Sequence, residues 1–84
     1  MTGYPPLQDL RDHFAHCVQV LGGTAAASRR LDIDERAIRR FINGERPLSL
    51  GLLQDTATAL RLLIDQASAA ESHISAALGN GATT

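Results

Sequence analysis

Eighty-four residues, 44% hydrophobic and 4% aromatic, suffice for one domain with a thin core. A single cysteine, Cys17, rules out an internal disulfide and fits a reducing cytoplasm, and no apolar run approaches the roughly 20 residues that span a bilayer. The net charge is −1, yet all eight basic residues are arginine, and residues 24–46 hold six of them against four acids, a local excess that would suit a polyanionic partner.

Composition rich in Ala and Leu favours an all-α fold, because small and straight-chain residues propagate helices well. Met1 to Tyr4 reads as a loose end with no basic arm. No basic start followed by an apolar run marks a signal peptide, so a cytoplasmic location is expected. Pro5-Pro6 suit a first helical turn. Leu7, Leu10, Phe14, Cys17 with Val18, and Leu21 then recur at spacings of three and four, which predicts a first helix over 5–21. Gly22-Gly23 ends it, since glycine takes the left-handed cap without steric cost. His13, His16 and Cys17 share a helical side, but no fourth ligand follows and Cys17 falls on the apolar face; they read as exposed histidines and a core cysteine, with no metal expected.

Residues 23–44 form two short helices around a tight turn. The second helix begins at Gly23-Thr24, where free backbone N–H groups and the positive dipole end can hold a phosphate. Ala25, Ala26, Ala27 and Ser28 let it lie close to a neighbour. Leu31 and Ile33 should face inward around the turn Leu31-Asp32-Ile33-Asp34. Asp34 is a suitable N-cap, its carboxylate accepting a backbone N–H. In the third helix Ile38, Phe41 and Ile42 mark the buried side, with Ile38 and Phe41 expected against the first and fourth helices. Arg36, Arg39 and Arg40, spaced i, i+3, i+4, share the opposite side. Arginine is well matched to guanine O6 and N7 in a major groove, and Glu35 at the helix start can accept from a cytosine amino group or simply favour the dipole. A solvated charged face is the plain alternative; the turn, the cap and the Asn43-Gly44 stop weigh against it.

After Pro47, Ser49 can cap another helix. Over 49–78, Leu53, Ala57, Leu60, Ile64, Ala67, Ile74 and Leu78 make a heptad-like seam that Glu71 interrupts. Leu52, Leu53, Ala57 and Leu60 are expected to pack inward. Leu63, Ile64, Ala67, Ala70, Ile74 and Leu78 outrun so small a body and are assigned to a homodimer interface. A break near Ser68, folding a fifth helix back, is the competing arrangement. Residues 79–84 are expected to be a flexible tail.

The segment GGTAAASRRL followed by INGERP, with Leu31 and Ile33 at the turn, Ile38 and Phe41 in the third helix and Asn43-Gly44 after it, resembles the helix-turn-helix of Cro/repressor-type (XRE-like) regulators of phages and bacteria. The resemblance covers about a third of the chain. It implies an all-α, four- to five-helix domain of the phage-repressor-like type with an extended C-terminal helix. It implies phosphate contacts from Thr24, Asn43 and Arg46, and base reading by Glu35, Arg36, Arg39 and Arg40. Two positions depart from the family pattern: Ser28 stands where Ala is usual, and Asp32 where Gly is usual. The expected function is a sequence-specific transcriptional repressor, a homodimer on double-stranded DNA with an inverted-repeat operator. The alternative is an antitoxin or protein-binding adaptor using the same arginine face on an acidic partner. An enzyme is not expected, nor a cofactor, a membrane or a small-molecule ligand: the chain carries no Ser/His/Asp set, phosphate loop or metal cluster.

Overall fold

The structure, a computed structural model, describes residues 7–82, with side chains from 10 to 79. Met1 to Tyr4, Pro5-Pro6 and Thr83-Thr84 lie outside the described residues. Four helices follow one another: α1 Leu7–Val20, α2 Thr24–Leu31, α3 Glu35–Asn43 and α4 Leu50–Ala82. Among the described residues there is no strand and no fifth helix, so the fold is all-α.

Phe14, Cys17, Val18 and Leu21 are buried, so the expected face of α1 is the one that packs. Burial also pushes the Cys17 thiol above its usual range. The stop is a Schellman motif: Gly23 N–H bonds to the Val18 carbonyl at 2.9 Å and Gly22 N–H to that of Gln19 at 3.0 Å. Both glycines have positive φ. A Cβ on Gly22 would lie 2.9 Å from that of Ala26, so the turn also needs glycine for space.

Short α2 buries Ala27 and Leu31. Asp32 follows at φ 57°, ψ 44°, in the left-handed region, where Asp is tolerated better than most residues though less well than Gly. Ser28 closes the turn, its carbonyl accepting the Asp32 and Ile33 N–H groups and its Oγ donating to the Ile33 carbonyl at 2.5 Å. The departure at Ser28 therefore adds a hydrogen bond that Ala cannot make.

Asp34 caps α3 in extended geometry, but its side chain makes no cap hydrogen bond. The expected carboxylate cap is absent; the cap acts through the Asp34 carbonyl, which accepts from Ile38 N–H at 3.1 Å. Ile38 is fully buried, whereas Phe41 and Ile42 are half-buried. Phe41 meets Phe14 edge-on, ring centroids 6.1 Å apart. Its expected burial against α4 is not found. Among the described residues α3 rests on α2 and α1, and Phe41 faces a groove toward Ser49, Gly51, Leu52 and Asp55.

Ser49 caps α4 as expected, its Oγ accepting the Leu52 N–H at 3.0 Å. The helix then runs 33 residues without a break near Ser68. It continues through the first four of the residues assigned to a tail, because no proline intervenes and each residue added to an existing helix gains a hydrogen bond. Its inner face differs from expectation. Leu52, Thr56 and Ala59 are buried, Leu60 and Leu63 pack partly against the core, and Ala57 is exposed. Thr56 is admitted because its Oγ1 donates to the Leu52 carbonyl at 2.7 Å, satisfying the hydroxyl within its own helix.

Candidate nucleic-acid interface

Burial of Ile38 fixes the rotation of α3. At about 100° per residue, Arg36, Arg40 and Asn43 fall within roughly 60° of one another on the side away from Ile38, and Arg39 flanks them. All four are exposed. The three arginines thus share one outward side, in agreement with their spacing. Glu35 is half-buried at the helix start. Its Oε1 accepts from Arg39 Nη2 at 3.2 Å, an i, i+4 pair. That pair holds Arg39 toward the N-terminal end of α3 and cancels part of its charge, leaving Arg36 and Arg40 as the more open cations of the face.

Asn43 is the last residue of α3, and Gly44 ends the helix at φ 82° in a second Schellman motif, with Glu45 N–H on the Arg40 carbonyl at 2.8 Å. This stop turns the chain sharply and brings Arg46 back, its N–H on the same Arg40 carbonyl at 3.2 Å. The Arg46 guanidinium lies over the Phe41 ring, 5.3 Å from its centroid, a cation–π contact that orients the side chain without neutralising it. Thr24 is half-buried at the first position of α2; no side chain caps that helix start, and Gly23 leaves it uncrowded.

One basic residue lies outside the set that the sequence pattern picks out. Arg11 on α1 is half-buried and shares a cleft with Gly44, Arg46, Pro47 and Leu48. The α3 stop therefore carries two guanidiniums, one from each side. The sequence signal for Arg11 is faint. It stands three residues before Phe14, on the side of α1 that faces inward, but its neighbours Asp9 and Asp12 leave its segment acidic. Only the docking of α1 beside the Gly44 turn reveals the pairing.

The residues assigned to a dimer surface lie elsewhere. From Ile64 to Gly79 every side chain is exposed, Ile64 at 65%, Ile74 at 61% and Leu78 at 67%, and Ala67 and Ala70 lie between them. Leu63 is instead half-buried against the chain's own core. As α4 leaves the body, Arg30 Nη1 on α2 reaches Gln66 Oε1 at 3.4 Å. No described helix is long and apolar enough to cross a membrane.

No family model, curated protein or solved structure matches the chain. The functional reading is carried by its own residues and their arrangement.

Proposed function

We propose that this chain is a sequence-specific DNA-binding transcriptional regulator of the phage-repressor-like helix-turn-helix type. It acts as a repressor and a homodimer on an inverted-repeat operator. In this reading α2 sits across the DNA backbone and α3 enters the major groove. Arg36, Arg39, Arg40 and Glu35 read base edges; Thr24, Asn43, Arg46 and Arg11 hold phosphates.

The observation that carries the reading is the division of α3. A nine-residue helix buries Ile38 completely while holding Arg36, Arg39, Arg40 and Asn43 in solvent. Both neighbouring turns are closed by backbone hydrogen bonds rather than by long loops. A rigid helix with an uncovered arginine side is what groove entry requires.

Selection of bound sequences from a random duplex pool tests the proposal. An enriched inverted repeat, with affinity falling steeply as salt rises, is the expected result. Salt-insensitive or sequence-blind binding, with tight capture of an acidic protein instead, would favour the adaptor reading.

A further inference from the structure

The seam on α4 and the groove beside α1 are one surface. Leu53, Thr56, Ala57 and Leu60 line a mostly apolar groove together with Leu10, His13, Phe14 and Cys17 of α1. Beyond Leu60 the same helical side continues through Ile64, Ala67, Glu71, Ile74 and Leu78, the alternating three- and four-residue spacing of a two-stranded seam. The core-facing stripe of Leu52, Thr56, Ala59 and Leu63 is a different one; Leu60 also packs partly against the core, and from Ile64 onward the seam is uncovered.

We infer that the groove and seam receive α4 of a second copy, running antiparallel. The inference deepens the homodimer half of the proposed function by fixing where and in which direction the copies meet. Glu71 decides the direction. In a parallel pair it would meet the partner's Glu71 at the same level, placing two carboxylates together inside an apolar seam, where like charges repel and lose solvent. In an antiparallel pair with Ile64 against the partner's Ile74, the same register sets Leu60 against the partner's Leu78. Glu71 then falls against the partner's Ala67, where a small side chain leaves room for the carboxylate to reach solvent. Its own-helix partner is already present: Ser75 Oγ donates to Glu71 Oε2 at 2.6 Å.

Two further features agree with that register. Its dyad passes near Ala69, among Ala67, Ser68 and Ala70, whose short side chains let two helices approach closely. Its far end places the helix backbone of Gly79 to Ala82 of the partner at the level of Ala59 to Thr56, where the groove beside α1 lies. The length of α4 is thereby accounted for: the helix runs on from its own body to reach the groove of the other.

Cysteine cross-linking tests the direction without DNA. Ile64→Cys and Ile74→Cys are oxidised separately and as a co-refolded mixture, with wild type, whose Cys17 is buried, as control. Cross-linked dimer in the mixture, and little in either variant alone, is the expected result; Ala70→Cys, close to the dyad, should cross-link to itself. Self-cross-linking of Ile64→Cys and of Ile74→Cys would mean a parallel pair and overturn the inference. A dimer by sedimentation that cross-links in none of these would overturn the register while leaving the homodimer reading intact. A monomeric wild type at micromolar concentration would overturn both. Cross-linking in the mixture by a protein that selects no DNA sequence would sustain the antiparallel pair and remove the DNA reading alone.

Discussion

The Arg11 guanidinium lies directly over Gly44, so close that a Cβ on residue 44 would overlap it. One glycine therefore meets two demands, the left-handed φ of 82° at the α3 stop and the space for an arginine from α1. Gly44→Ala should cost about 1–2 kcal/mol from the backbone alone and push Arg11 aside. Arg11→Ala leaves the turn intact and should weaken binding to all duplex sequences alike, reducing the salt slope by about one. Thermal melts of the first and salt titrations of the second check this pair. A full salt slope in Arg11→Ala would take Arg11 out of the interface.

On the proposed reading face, Arg36→Ala or Arg39→Ala should each cost about 1–3 kcal/mol of specific binding with the fold intact. The Glu35–Arg39 pair is largely exposed, 44% and 61%, so solvent screens it; it contributes at most about 1 kcal/mol to stability. Glu35→Ala should therefore melt near the wild-type temperature, yet bind non-specific duplex more tightly because Arg39 is released. Operator affinity unchanged in both arginine variants would move base reading off this side of α3.

The turn offers a test of local strain. Asp32 is the one non-glycine residue with positive φ among those described. Asp32→Gly should stabilise the fold by roughly 0.5–1 kcal/mol, relief of the left-handed strain outweighing glycine's larger chain entropy. Denaturant unfolding checks the sign. A destabilised variant would mean that the Asp32 side chain contributes more than its backbone strain costs.

Most of this fold is legible where glycines and apolar spacing agree. Gly22-Gly23, Asp32 and Asn43-Gly44 place three helix ends to within a residue or two, because each ends in a left-handed residue whose N–H closes on the preceding turn. The phase of α4 is not legible. Leu52, Thr56, Ala59 and Leu63 form one stripe; Leu53, Ala57, Leu60 and Ile64 form another, one residue on. By composition the latter is the better core, because it lacks a hydroxyl. A threonine can satisfy its hydroxyl on its own helix, as Thr56 does, so polarity is the wrong guide. Phe41 departs from expectation for a related reason. Periodicity gives its side of α3 but not its depth, which depends on how far α4 stands off. Ile38→Ala should accordingly cost about 2–5 kcal/mol and Phe41→Ala less, with the two melting temperatures in that order.

The proposed assembly and the proposed function meet in α4. As a DNA reader a single α3 would reach only a few base pairs, and two copies on a twofold axis would have to set their third helices about 34 Å apart to enter successive major grooves. An antiparallel pair centred near Ala69 would separate the two bodies by a comparable distance. The body is attached around residues 52–63, some eleven or twelve residues from the dyad, and at 1.5 Å per residue the two attachment points fall roughly 35 Å apart. A dyad perpendicular to the helix pair also turns both bodies toward the same side. Ile64→Asp places a charge in the seam against the partner's Ile74, where it would be buried without a counter-charge. Because Ile64 is 65% exposed in the single chain, the variant should keep its helical content and melt as a folded monomer. Its affinity for a half-site should match wild type, while its affinity for the full operator falls by a factor of a hundred or more, about 2.7 kcal/mol. Sedimentation, circular dichroism and binding to half and full operators together check the prediction. A variant that is monomeric yet still binds the full operator as tightly as wild type would show that α4 does not set the spacing of the two reading heads.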